Sequence, residues 1–199
     1  MAHLIFQEDF NDTNLPSSLF WFNEPQDWKI ENSCLIIRPE KTDFWQKTHY
    51  GFERDNGHCL LYQASGDFSL TTGVKFRAKH QYDQAGLIIR YSKDFWLKTS
   101  VEYEDKQLSR LGVVVTNFGY SDWSTQDFSS TIDKIYFKII KQGQDYTVQF
   151  QVNDASWSQL RIAHLHQEAL EVQCGLYACS PVEIGYQAEF DFIEIQQLS

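Results

Sequence analysis

Three features of the sequence predict an all-β chain folded as a two-sheet antiparallel sandwich. Apolar and polar residues alternate with a period of two along most of the chain, as in strands buried on one face. Aromatics make up 16% of the residues, and these side chains favour strands over helices. Turn-forming residues recur at the spacing of a sandwich or barrel, without βαβ alternation or a repeat of fixed period. With 199 residues and no Pro/Gly/Ser linker, residues 1–199 read as one domain.

The elements follow in order. LIFQEDF at 4–10 is a first strand, ended by Asn11-Asp12-Thr13-Asn14 and Pro16. Leu19–Phe22 runs into the turn Asn23-Glu24-Pro25. Trp28–Ile30 and Cys34–Pro39 form a hairpin around Glu31-Asn32-Ser33. Residues 40–58, EKTDFWQKTHYGFERDNGH, lack alternation and read as a long loop, the kind of segment that holds binding residues on β scaffolds. Either Asp43 and Trp45 serve a site there, or Phe44 and Trp45 cap the core. Cys59–Ala64 and Phe68–His80 are strands. Gln107–Asn117 is a buried strand, and Phe118–Ser124 reads as a loop displaying Trp123. Ile132–Lys141 and Tyr146–Val152 form a hairpin whose Lys134, Lys138 and Lys141 point outward from a solvated sheet. Trp157–Ile162 is a strand, His164–Glu171 reads as one short helical turn, and Val172–Cys179 and Gln187–Ile195 are the closing strands.

The chain is organised around Gln81–Asp105. Ala85, Leu87, Ile89 and Tyr91, then Leu97, Thr99, Val101 and Tyr103, occupy the odd positions and face the core. The even positions present Gln84, Arg90, Trp96, Lys98 and Glu102 to the other face. A Trp among groups that donate and accept hydrogen bonds suits a sugar or another polar, partly apolar ligand. The predicted groove places Lys98 beside Glu102 or another carboxylate, because buried charges need partners. The candidate ligand-binding set is Asp43, Trp45, Gln84, Arg90, Trp96, Lys98, Glu102, Asp122, Trp123 and Arg161.

A net charge of −10 disfavours nucleic acid and anionic membrane surfaces as partners. No run of eighteen apolar residues occurs, and MAHLIFQEDFND lacks the features of a secretory signal, so the expected setting is cytoplasmic. Cys34, Cys59, Cys174 and Cys179 are expected to be reduced, and the odd spacing of the last two puts them on opposite faces of a strand.

The motifs NEPQDW (23–28), KTDFW (41–45), YDQAGLIIR (82–90), DFWLKTSVEYED (94–105), VVVTNFGYSDWS (113–124) and GLYACSP (175–181) stand in one order along the chain. Together they resemble the domain of unknown function 1349 family over about residues 20–195. That family includes proteins named for regulation of enolase and is similar to the C-terminal domain of some family-43 β-xylosidases. The resemblance implies a concanavalin A-like jelly roll of the lectin/glucanase type. It carries no settled activity.

Catalytic signatures are sparse. A retaining glycosidase needs two carboxylates about 5 Å apart. Glu102 and Glu104 would lie about 7 Å apart on one strand face, with Lys98 neutralising Glu102. The simpler reading pairs Glu102 with Lys98 or Arg90, and no catalytic residue is assigned. No GxSxG, P-loop or HExxH occurs, and His164 and His166 lack a third metal ligand nearby. No cofactor is expected; the alternative is a structural calcium with oxygen ligands from Glu8, Asp9, Asp12 and Asp191. Two functions follow: binding of a saccharide or other small polar ligand without hydrolysis, or intracellular regulation through a protein partner.

Overall fold

The structure, a computed structural model, describes residues 3–198. In chain order the strands are β1 (His3–Glu8), β2 (Leu19–Phe22), β3 (Asp27–Ile30), β4 (Leu35–Arg38), β5 (Phe44–Gln46) and β6 (Glu53–Asp55). Then come β7 (His58–Ser65), β8 (Phe68–Arg77), β9 (Gln84–Ser92), β10 (Phe95–Tyr103), β11 (Leu108–Asn117) and β12 (Tyr120–Ser129). The last five are β13 (Lys134–Gln142), β14 (Asp145–Gln151), β15 (Ser158–His164), β16 (Glu171–Cys179) and β17 (Gln187–Gln197).

Two antiparallel sheets face each other, as the alternation predicts. The first runs β15-β14-β13-β8-β17-β4-β3, with β1 also on β17. The second runs β12-β11-β10-β9-β16-β7-β2. Between them lies the main core, where Ala85, Leu87, Ile89, Leu97 and Val101 meet Phe137, Ile139, Val148, Phe190 and Ile193. These are the odd positions of the central hairpin, so the predicted facing holds.

The second sheet also buries part of its outer face. Ile88 and Trp96 from the even positions join Phe44, Trp45, Cys59, Leu61, Val114, Tyr177 and Cys179 in a separate apolar cluster. The cover is the 40–58 segment, which is a small hairpin of β5 and β6 and not an open loop. Three residues at positive φ, Lys47, His49 and Gly51, bend the chain between its strands. The hairpin is tied down at both ends. His58 bridges the Asn23 carbonyl at 2.6 Å and the Glu40 carboxylate at 2.6 Å. The Gln46 amide donates to Ser121 Oγ at 2.9 Å on β12.

Three further expectations change. Among the described residues no helix occurs, and the segment after His164 is extended. Phe118-Gly119 is a tight turn with φ of 53° and 74°, and the residues after it belong to β12. β12 is an edge strand facing water, so it lacks the apolar alternation that marks a buried strand. Lys141 points inward, because it shares the parity of Ile135, Phe137 and Ile139; at the strand end its ammonium reaches the Gly66 carbonyl at 3.0 Å.

Cys174 lies in the main core and Cys179 in the outer cluster, and all four cysteines are free thiols. Burial pushes the thiols of Cys59, Cys174 and Cys179 well up, so none of the three is a ready nucleophile at neutral pH. Among the described residues no helix is long and apolar enough to cross a membrane.

Candidate functional site

A pocket of about 340 Å³ opens where the cover stops short of the end of the hairpin. Its floor is the even face of β9 and β10, contributing Gln84, Lys98 and Glu102. Asp43 and Trp45 stand over it from the cover, and Trp123 closes it from β12. Six of the ten candidate residues therefore meet in one place. Tyr50, Phe52, Tyr82 and Glu104 line it beside them, with Phe44 and Val114 from the apolar cluster. Tyr82 and Glu104 carry the even parity of the hairpin two residues beyond Gln84 and Glu102, a signal present in the sequence. Tyr50 and Phe52 lie in the cover, where no alternation points to them.

The walls are aromatic and steeply inclined to one another. Trp45 meets Tyr50 at 5.1 Å and 61°, and Trp123 at 6.5 Å and 79°. Tyr50 continues to Phe52 at 6.1 Å, nearly parallel. Trp45 Nε1 donates to the Thr48 carbonyl at 2.8 Å, which fixes that ring. Gly112 on β11 lets the Trp123 indole lie against the strand, since a Cβ there would come within 3.0 Å of its Nε1.

The floor is polar. Lys98 is 2% exposed and donates to Gln84 Oε1 at 2.5 Å. Tyr177 donates to the same oxygen at 3.3 Å, and Asp43 lies 3.9 Å from the ammonium. The carboxylate beside Lys98 thus comes from the cover, which meets the expectation of Glu102 or another carboxylate, while Glu102 pairs with neither Lys98 nor Arg90. Glu102 has no hydrogen bond or ion pair among the described residues. Its carboxyl is pushed up to about 8, first by burial, with Asp43 and Glu104 adding to the rise and Lys98 opposing it. Glu104 is occupied by Gln81 at 2.9 Å and by Arg110 at 3.9 Å.

The other four candidates lie elsewhere. Arg90 makes a bidentate pair with Asp55 at 2.8 Å on both arms, donates to the Ser92 carbonyl, and sits 4.3 Å over Phe22. Trp96 is fully buried beneath Phe44, with its Nε1 on the Lys93 carbonyl at 3.1 Å. Both face as predicted, but the cover lies over them. Arg161 spans from β15 to Asp122 and Ser124 on β12, each at 3.0 Å, and clasps the sheet edges in a separate shallow groove. Asp191 is paired with Lys134 at 2.5 Å, Glu8 accepts from the Phe10 amide and Asp9 accepts from the Gln7 side chain. Among the described residues no group of three His, Cys, Asp or Glu could hold a metal.

The comparisons with known proteins agree on fold and say little of chemistry. A family model described as protein of unknown function (DUF1349) matches residues 21–198. A Saccharomyces cerevisiae protein named Regulation of enolase protein 1 is 30% identical over 171 residues, covering 85% of each chain. A crystal structure of a functionally unknown protein from Saccharomyces cerevisiae overlays with a TM-score of 0.84 at 29% identity, covering 92% of this chain and 98% of its own. A GH43 protein from Bacillus licheniformis overlays with a TM-score of 0.75 at 15% identity, over 96% of this chain and 39% of that longer one. At that identity the likeness shows the jelly-roll sandwich alone.

Proposed function

We propose, from the premise that this chain belongs to the DUF1349 family of proteins of unknown function, that it binds a saccharide or similar small polar ligand in the Lys98–Glu102 pocket without hydrolysing it. The observation that carries this is the pairing of inclined aromatic walls with a floor of ammonium, amide and carboxyl groups. Sugars place apolar C–H faces on aromatic rings and hydroxyls on such groups. Lys98 has three donors and one close acceptor, so it offers hydrogen bonds to ligand oxygens. The four free thiols accord with a reducing, cytoplasmic setting, and the charge of −10 argues against nucleic acid and anionic membrane.

Titration of the purified protein with neutral, acidic and amino saccharides, read by Trp fluorescence and melting temperature, tests this. Binding that disappears in Gln84→Ala and Trp123→Ala, with both variants folded, is the expected result. A panel that moves neither readout overturns it.

The name of the 30% identical relative favours a second reading, a protein that regulates enolase through direct contact. Sedimentation of the two purified proteins together tests that, and separate boundaries at micromolar concentration would dismiss it.

A further inference from the structure

We infer that the ligand of this pocket carries a positive charge, an ammonium group on a hydroxylated carbon skeleton. The inference rests on the small-ligand reading above and narrows its chemical class.

The first ground is charge. Asp43, Glu102 and Glu104 line the pocket against Lys98 alone. The charge of Lys98 is offset by Asp43 at 3.9 Å, and that of Arg110, beyond the lining, by Glu104 and Asp127. Glu102 is left over. Its carboxyl lines the pocket with no protein donor, and desolvation outweighs the pull of Lys98, whose charge Asp43 already offsets, so the ionised form lacks a cation of its own. A ligand ammonium would supply that cation.

The second ground is the shape of the aromatic walls. A flat sugar-stacking platform displays one broad face. Here Trp45 stands at 61° to Tyr50 and 79° to Trp123, so the rings form a corner with Tyr82 also lining the pocket. Rings so inclined cannot all present their edges in one direction, and a ring face open to the cavity attracts a cation through its quadrupole, at about 6 Å or less. The corner and the unpaired carboxyl share one cavity, and neither observation depends on the other.

The third ground is that Lys98, nine-tenths buried, has donors to spare. They call for ligand hydroxyls and confine the ligand ammonium to the Glu102 side. Amino sugars and choline-like alcohols both have this chemistry.

The test compares five probes by calorimetry: choline, its neutral isostere 3,3-dimethyl-1-butanol, glucosamine, glucose and glucuronate. At pH 7, at least one of choline and glucosamine should bind about tenfold or more tightly than its neutral counterpart, and which one does so identifies the source. Choline keeps its charge at every pH, so its preference should grow from pH 6.5 to 9 as Glu102 ionises. The groups that share this field are Lys98 and Gln84 on the floor, Asp43 and Tyr50 on the cover, and Tyr82, Glu104 and Arg110 at the edge. Glu102→Gln should lose both the preference and its pH dependence while melting cooperatively, and Trp123→Ala should weaken choline without restoring a pH effect. Equal binding of glucose and glucosamine, with choline no better than its isostere, overturns the inference and leaves the saccharide reading standing. Glucuronate as the tightest probe overturns it in favour of Lys98 as the anchor. No heat from any of the five overturns it together with that reading.

Discussion

Arg90 and Lys98 are both buried cations on the even face of the same hairpin, 6% and 2% exposed, and the chain treats them differently. Arg90 is saturated: two bonds to Asp55, one to a carbonyl, and a ring beneath the guanidinium. Lys98 has one close acceptor, a carboxylate 3.9 Å away and the Tyr177 ring at the longer distance of 5.4 Å. The planar fork of Arg suits a closed, permanent pair, whereas the three donors of Lys leave capacity unused. A fully partnered buried charge fastens the cover, and an under-partnered one faces a cavity. Burial alone does not separate structural from functional charges; the count of partners does.

The comparison can be broken by mutation. Arg90→Ala should have the largest effect, a loss of about 3–5 kcal/mol, because it strands Asp55 and unfastens the cover. Urea denaturation measures it, and a loss under about 1 kcal/mol would show that Arg90 is no fastener. Lys98→Met should cost less, within about 1.5 kcal/mol, since its pair with Asp43 is long at 3.9 Å, Tyr177 still donates to Gln84 and the volume is kept. If the two losses are equal, the contrast collapses. Glu102→Gln should leave the protein no less stable, and more stable at high pH. The Glu102 carboxyl sits at about 8 in the fold against an ordinary value of 4.5, so the wild type binds more protons folded than unfolded between those values. Its stability contribution is therefore full below about pH 4.5, falls as pH rises towards about 8, and is flat above. Melting curves from pH 4 to 9 should show that decline in the wild type and a shallower one in Glu102→Gln. Tyr50→Ala should change stability by only about 0.5 kcal/mol, since the ring is 53% exposed, and should show itself in ligand affinity alone.

The sequence disclosed direction more readily than coverage. Parity placed Gln84, Arg90, Trp96, Lys98 and Glu102 on one face, and that is where they lie. It could not tell that Phe44 and its hairpin would settle over Trp96 and Arg90 and leave Lys98 and Glu102 beside an opening. That outcome depends on long-range ties, His58 to Asn23 and Glu40, and Gln46 to Ser121, which leave no local pattern. Chemistry also misled where parity was sound. The charge of Lys141 suggests water, but its odd number matches the core residues of β13 and its side chain follows parity inward. At β12 the reverse holds: an edge facing solvent has little reason to alternate, so the strand reads as a loop. Tyr82 and Glu104 were legible by extending the parity past the strand ends. Asp122 and Arg161 were polar and exposed enough to resemble a site, and they bind each other.

The place of β17 has a consequence for how the protein is made. This strand, Gln187–Gln197, lies inside its sheet, with β8 along one edge and β4 and β1 sharing the other. Until residues 187–197 leave the ribosome, any sheet formed by β8, β13 and β14 would end in a bare edge at β8, and β1 would lack its partner. At about 5–20 residues per second, the 110 residues or so from β8 to β17 take several seconds or more to translate. Throughout that interval the edge of β8 would stand open to pairing with another chain. The fold can close only after synthesis has reached its final strand, by pairings between segments distant in sequence, which form slowly.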